Sequence, residues 1–311
     1  MRYRFVFRPY RRLFTRPLQT SHGSWDVREG IILRLSDETG RASWGEIAPL
    51  SWFGSETLEQ ALDFCRQLPN EITSETIFSI PATLPACQFG FESAGEGAQE
   101  LLPLEYSGLL PAGQAALHQW QTLWNQGYRT FKWKIGVATI QEELKVFHQL
   151  IQALPASAQL RLDANGGLCA NSASVWLQAC DHFGIEFLEQ PLPVEQFDAM
   201  LELSTRYSTQ LALDESVATL EQLEASYQQG WRGVFVIKPC IAGSPSRLRQ
   251  FCREHEIDAV FSSVFETAIG RLAALKLAAE NNRHNRAVGF GISHWFEEDD
   301  EICLERIWKD L

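Results

Sequence analysis

The chain has 311 residues, 45% hydrophobic and 21% charged, with 39 acidic against 27 basic side chains and a formal net charge of −12. That length suits one large domain or two ordinary ones, and the composition is that of a chain that buries a core, not of a disordered or membrane-embedded one. An acidic surface repels phosphates, which excludes nucleic acid or an anionic membrane as a general partner and favours a small molecule or a metal ion.

No run reaches the ~18 apolar residues of a membrane helix, and none has the form of a signal peptide, so a cytoplasmic protein is expected. The seven cysteines stand singly, without a Cys-x-x-Cys pair, as befits buried thiols in a reducing compartment.

In chain order, the first 25 residues are rich in arginine and free of acids, the composition of an organelle transit peptide. However, Tyr3, Phe5 and Phe7 alternate with Arg4, Val6 and Arg8, the period of a half-buried strand, and a strand over Tyr3–Arg8 is the expectation adopted. Further strands are expected over Gly30–Leu35 and Arg41–Ile47, joined by the polar turn Ser36-Asp37-Glu38-Thr39-Gly40. A helix should follow, with Ser55 as its N-cap and Leu58, Leu62 and Phe64 or Cys65 on one face. Residues 1–100 thus read as an α+β unit.

From about residue 103, short apolar runs alternate with amphipathic stretches, the pattern of βαβ units around a parallel sheet. Strands are expected over Leu104–Gly108, Thr130–Ile135, Gln159–Asp163, Ile185–Glu189, Gln210–Asp214, Gly233–Lys238, Ala259–Ser262 and Ala287–Phe290. Helices are expected between them, for example Gln141–Leu154, Ser172–Phe183, Leu220–Gln229 and Ser246–His255. Eight such units predict an α/β protein, a (β/α)8 TIM-type barrel over residues 101–294, with residues 295–311 as a tail packing near the α+β unit.

The last charged residues of successive strands are Lys134, Asp163, Glu189, Asp214 and Lys238, spaced by 29, 26, 25 and 24 residues. One βα unit separates each from the next. In a β/α barrel all strand C-termini lie on one rim, so these five side chains should share a mouth. In Phe131-Lys132-Trp133-Lys134 the lysines are two residues apart and therefore on one face, with the aromatics on the other.

Taken singly, each signal has an ordinary reading: a solvated strand edge for Lys-x-Lys, a turn for Asp163-Ala164-Asn165-Gly166, and a helix N-cap for Asp214-Glu215-Ser216. Their joint placement at consecutive strand ends is what points to a site.

Three carboxylates from neighbouring strands, Asp163, Glu189 and Asp214, supply the oxygen donors that a hard cation selects. Mg²⁺ is the expected cofactor, with Mn²⁺ as a substitute. Such an ion suits proton removal next to a carboxylate, because it takes up the charge of the enediolate as it forms. Lys134, beside Lys132 and a dication, should have a depressed pKa and act as base. Lys238, several strands round the rim, should face it across the substrate as a second acid/base or a fixed cation.

The motifs Lys132-Trp133-Lys134, Asp163-Ala164-Asn165, Glu189-Gln190-Pro191, Asp214-Glu215-Ser216 and Ile237-Lys238-Pro239 resemble the ordered strand-end motifs of the enolase superfamily in its Lys-x-Lys subgroup. That subgroup includes muconate cycloisomerases, dipeptide epimerases, N-acylamino acid racemases and o-succinylbenzoate synthases. The resemblance spans nearly the whole chain. It implies a modified barrel under an amino-terminal capping domain, whose loop into the site is similar to Trp44-Gly45-Glu46-Ile47-Ala48-Pro49-Leu50.

Residues 286–294 lack the acidic pair that dipeptide epimerases use to hold a substrate amine. The compact length and Phe261-Ser262-Ser263-Val264-Phe265-Glu266-Thr267 look most like the o-succinylbenzoate synthase family.

The resemblance implies a monomeric dehydratase acting on a small carboxylate in menaquinone or phylloquinone synthesis. Lys134 and Lys238 would be catalytic and Lys132 would tune Lys134. Asn165, Ser262 and Ser263 would contact substrate carboxylates. The loop around Ser21-His22-Gly23-Ser24-Trp25, together with Trp52-Phe53-Gly54, is the expected lid. The rivals are an epimerase or cycloisomerase with the same lysines, and a non-catalytic metal-binding barrel.

Overall fold

The computed structural model describes residues 1–20, 23–96, 103–297 and Trp308. The amino-terminal part is an antiparallel sheet of order β3-β2-β1-β4, formed by β1 (Arg2–Thr20), β2 (Gly23–Asp37), β3 (Ala42–Ile47) and β4 (Glu71–Thr73). Alternation along β1 and β2 puts Phe5, Ile31, Leu33 and Leu35 on the buried face. Against that face lie α1 (Leu58–Gln67), α2 (Ser74–Phe78) and α3 (Pro85–Glu96), and Phe5 meets Phe91 of α3 at 5.2 Å between ring centroids. The turn after β2 is stapled by Asp37, whose Oδ1 accepts hydrogen bonds from the backbone of Thr39 and Arg41 at 2.9 and 3.0 Å.

Two expectations need correction here. The first strand runs on far beyond Arg8 and pairs with β2 up to Thr20↔Gly23, with a register shift between Leu13 and Leu18. Beyond Arg8 the strand carries arginines and prolines in place of a clear alternation; it is held by β2, and some of its side chains are covered from the other end of the chain. Phe14 bridges Phe296, Arg12 lies 3.8 Å over the Phe296 ring, and Arg8 sits over Trp308.

The first helix is capped not by Ser55 but by Thr57, which forms a reciprocal capping box with Gln60. Ser55 instead accepts the Leu50 N–H, and buried Glu56 accepts the Ala86 and Cys87 N–H groups at the start of α3.

The second part is a parallel sheet of order β11-β10-β9-β8-β7-β6-β5. Its strands are β5 (Ser107–Leu110), β6 (Thr130–Lys134), β7 (Gln159–Asp163), β8 (Phe187–Glu189), β9 (Leu211–Leu213), β10 (Val234–Ile237) and β11 (Ala259–Phe261). Between them run α4 (Ala116–Asn125), α5 (Ile140–Ala153), α6 (Ala170–Asp181), α7 (Phe197–Arg206), α8 (Leu220–Gln228), α9 (Pro239–Ala242) and α10 (Pro245–His255). The last helix, α11 (Ala268–Asn281), follows β11.

Residues 287–290 close the cylinder. Val288 donates to Glu105 O on one edge and Gly289 to Phe261 O on the other, both at 2.8 Å. This segment is two isolated parallel bridges, not the full eighth strand expected, because a different residue meets each edge. The first barrel strand also starts later than Leu104, at Ser107, where pairing with Thr130 begins.

At the end of the barrel opposite the strand C-termini, Arg161 forms an ion pair with Glu186 at 2.7 Å and donates to Ala287 O at 2.7 Å. Arg286 pairs with the same Glu186 at 2.7 Å and with Asp258 at 2.6 Å. This buried network ties β7, β8 and β11 to the closing segment.

Candidate active site

The rim geometry begins with β6. Trp133 is fully buried and packs edge-on against Trp176 of α6, while Phe131 stacks on Trp124 of α4, so the aromatics face the helices. Lys132 and Lys134 therefore enter the cylinder. Register places Lys134 opposite Asp163, and Asp163 opposite Glu189. Asp214 and Lys238 stand one residue beyond β9 and β10.

The lysines and acids meet as pairs. Lys132 Nζ lies 2.8 Å from Asp163 Oδ2 and 2.5 Å from Glu189 Oε1, and Lys238 bonds Asp214 Oδ1 while its Nζ sits 4.0 Å over the Phe53 ring. The Asp163, Glu189 and Asp214 side chains keep only 11%, 2% and 5% of their surface exposed, so their charges need compensation nearby.

Burial, then the Asp163 charge, pushes Glu189 up to about 8. At Asp163 burial acts in the same direction but the Lys132 ammonium outweighs it and holds the carboxyl below its usual range. Lys132 itself is raised, burial being overcome by Asp163 and Glu189, and it stays an ammonium. Lys134 alone of the three lysines has no ion pair or hydrogen bond among the described residues.

Above this cluster is a cavity of about 280 Å³. Lys132, Lys134, Asp163, Asn165, Asp214, Lys238, Ser262 and Ser263 line its floor and wall, and Trp25, Leu50, Trp52 and Phe53 line it from the capping sheet. Glu189 lies beneath, reached through Lys132.

Asn165 uses its amide on Glu215 Oε1 at 3.1 Å. Ser263 Oγ donates to Glu266 Oε2 and accepts from Phe265 N, both at 2.8 Å. Ser262 Oγ has no partner among the described residues.

The expected lid is partly corrected. Trp25 and Trp52 do reach the cavity and touch edge-on at 5.7 Å, but Trp25 belongs to strand β2, not to a loop. Gly23 begins that strand, is exposed and lies outside the cavity lining. His22 falls outside the described residues.

Among the described residues no three His, Cys, Asp or Glu side chains are gathered tightly enough to grip a metal as they stand. The carboxylates are turned to the lysines instead. The donor set itself remains three carboxylates on adjacent strand ends, the hard-oxygen chemistry that suits Mg²⁺.

Two acids went unassigned in the sequence reading. Glu215 lines the cavity and is pushed up to about 7 by burial and then Asp214; its place next to Asp214 was the available signal. Glu266 is fully buried and is pushed by burial from 4.5 to about 7, with Oε1 unpartnered.

Because the folded chain holds the Glu266 proton more tightly than the unfolded chain, its contribution is fully favourable below pH 4.5 and is lost as pH rises through about 7. Glu266→Gln keeps an acceptor for Ser263 and Val264. We expect it to change little at pH 5 and to stabilise the protein by up to ~3 kcal/mol at pH 8, as read by urea denaturation at the two pH values.

Comparison with known proteins covers both parts of the chain. Residues 115–305 match the family model "Enolase C-terminal domain-like", and residues 14–98 match "MenC, N-terminal domain". The o-succinylbenzoate synthase of Thermosynechococcus vestitus is 42% identical over 99% of this chain and 99% of its own. The chain belongs to the o-succinylbenzoate synthase family.

A solved member of that family, from Thermosynechococcus elongatus BP-1 complexed with Mg in the active site, superposes with a TM-score of 0.92 at 41% identity, covering 99% of this chain and 100% of that one. The enolase-superfamily fold extends further. The L-Ala-D/L-Glu epimerase from Bacillus subtilis matches with a TM-score of 0.77 at 19% identity, over 95% of this chain and 91% of its own. That likeness speaks for the fold alone.

Proposed function

We infer that this protein is an o-succinylbenzoate synthase, a hydro-lyase converting 2-succinyl-6-hydroxy-2,4-cyclohexadiene-1-carboxylate to 2-succinylbenzoate. The observation that carries the reading is that Lys134 and Lys238, from β6 and β10, line one cavity in a chain matched along its whole length by the family.

Lys134 Nζ, having no partner to displace, takes the proton alpha to the ring carboxylate. The electron pair moves into the carboxylate, giving an enediolate, and the ammonium of Lys238 offsets its charge from the opposite side. Lys134 then returns the proton to the departing hydroxyl as the C–O bond breaks, so water leaves and the ring becomes aromatic. Lys132, fixed as an ammonium between Asp163 and Glu189, places a positive charge two residues from Lys134, on the same face of β6.

Mg²⁺ held by Asp163, Glu189 and Asp214 would supply charge neutralisation at the substrate carboxylate. For those three to face one ion, each would share oxygens now turned to Lys132 or Lys238. Mn²⁺, another oxygen-seeking dication, is proposed as a substitute. Ser262, with its hydroxyl uncommitted, is proposed to receive a substrate carboxylate, and Asn165 and Ser263 to hold the wall in place. Trp25 and Trp52 keep water from the mouth.

The two family matches, over 14–98 and 115–305, fall on either side of residue 100, which supports a division there; a capping unit over 1–100 and a barrel over 101–294 are proposed. A monomer is proposed as the working unit. No helix among the described residues is long and apolar enough to cross a membrane; with six free cysteines among them, a cytoplasmic setting is proposed.

The reading is tested against its epimerase rival in D₂O. With Mg²⁺ present, N-acylamino acids and dipeptides should show no α-proton exchange while the cyclohexadiene is dehydrated. Exchange without dehydration would reassign the substrate. EDTA should abolish the dehydration and excess Mg²⁺ restore it.

A further inference from the structure

The buried carboxylate of Glu46 belongs to none of the steps above, yet five hydrogen bonds converge on it. Tyr10 of β1 donates its hydroxyl, Thr267 donates its N–H to both carboxylate oxygens at 3.0 Å and also donates its hydroxyl, and Gly270 donates its N–H at 3.0 Å. Thr267 and Gly270 form the N-terminus of α11, where free N–H groups and the helix dipole favour an anion. Glu46 sits in β3 of the capping sheet, so this one side chain joins that sheet to the barrel.

The surroundings are shaped for the contact. A Cβ on Gly270 would stand 2.8 Å from Glu46 Oε2, and a Cβ on Gly30 would stand 2.7 Å from the Tyr10 hydroxyl. Both positions therefore need glycine if Tyr10 and α11 are to reach the carboxylate. Burial and the Glu46 charge also keep the Tyr10 hydroxyl protonated and donating.

Each side of the contact leads directly to a cavity wall. Two residues after Glu46, the carbonyls of Ala48 and Pro49 are gripped by Arg28 at 2.6 and 3.0 Å. The chain then presents Leu50, Trp52 and Phe53 to the cavity, and Phe53 lies on Lys238. On the barrel side, the residues just before Thr267 include Val264 and Phe265, which line the opposite wall, and Phe265 meets Trp25 at 5.5 Å.

We propose that Glu46 is a positioning residue that sets the register of the capping-domain wall against the barrel wall and so fixes the shape of the substrate cavity. It touches no reacting atom. It acts through the 48–53 loop and the 262–267 loop. The proposal rests on the dehydratase reading for its kinetic arm only.

The test compares wild type with Glu46→Gln, which puts an amide NH₂ among donors, and with the milder Tyr10→Phe. Hydrogen exchange is followed by peptide, and KM and kcat are measured with the cyclohexadiene and Mg²⁺. In Glu46→Gln, amides in 48–54 and 262–270 are expected to exchange at least ~10-fold faster while those of β7 stay unchanged, and KM to rise ~10-fold with a smaller change in kcat. Tyr10→Phe should move the same readouts in the same direction by less.

Unchanged exchange in 48–54, or a lower kcat at unchanged KM, would overturn the proposal, since a merely structural role lowers the active fraction without reshaping the cavity. Should Glu46→Gln fail to fold, Tyr10→Phe decides by the same criteria. A wild type without dehydratase activity would sink the reading of function but leave the exchange arm able to decide.

Discussion

Lys134→Ala is expected to lower kcat at least ~10³-fold, within the range that a positioned acid/base residue contributes, while the thermal midpoint stays close to wild type. The second half of that expectation comes from the geometry. Lys134 has no ion pair or hydrogen bond among the described residues, so its removal strands no buried partner.

Lys132→Ala should behave differently. It leaves Asp163 and Glu189 without the ammonium they share, and both stability and activity should fall. Measuring kcat and the midpoint for both variants separates the two roles, and equal losses of stability would contradict the assignment.

Glu186→Gln is expected to cost about 3–5 kcal/mol of stability, the usual penalty for removing one partner of a buried ion pair. Glu186 pairs with both Arg161 and Arg286, and the Arg161 side chain is only 2% exposed. The amide keeps one neutral acceptor but no charge, so Arg286 still has the Asp258 carboxylate while buried Arg161 is left with neutral acceptors alone, the amide oxygen and the Ala287 carbonyl. Urea denaturation reads the loss directly. Because the network lies at the far end of the cylinder from Lys134, KM should change little. A loss below 1 kcal/mol would mean that the guanidiniums find other partners.

The barrel was legible because its signals are local and repeated. Alternating apolar runs gave the strands, and the regular spacing of Lys134, Asp163, Glu189, Asp214 and Lys238 placed them on one rim. Helix boundaries marked by local chemistry were also readable: Ser244 followed by Pro245 opens α10, and Gly184 and Gly230, both at positive φ, lie just past helix ends.

What escaped depends on partners distant in sequence. Nothing near Arg12 or Phe14 announces that β2 will extend to pair with this segment or that Phe296 will cover it, so the first strand reads too short. Thr57 displaced Ser55 as cap because Gln60 completes its box, a choice that two adjacent hydroxyl residues leave open. The eighth strand shrank to two bridges because closure needs only Val288 and Gly289.

In the site, the ionic pairing was legible in kind but not in detail. Three lysines and three acids at a rim imply compensation, whereas which lysine stays unpaired depends on side-chain reach. Glu46 and Glu266 were invisible as functional residues, since the hydroxyls of Tyr10, Thr267 and Ser263 and the backbone N–H groups that bind them form no spacing pattern that marks a site.

The most direct test of the account supplies the purified protein and Mg²⁺ with 2-succinyl-6-hydroxy-2,4-cyclohexadiene-1-carboxylate and follows the diene absorbance. The account predicts a Mg²⁺-dependent loss of absorbance with 2-succinylbenzoate as the product, abolished in Lys134→Ala. An undiminished diene signal with wild-type protein and saturating Mg²⁺ would contradict it.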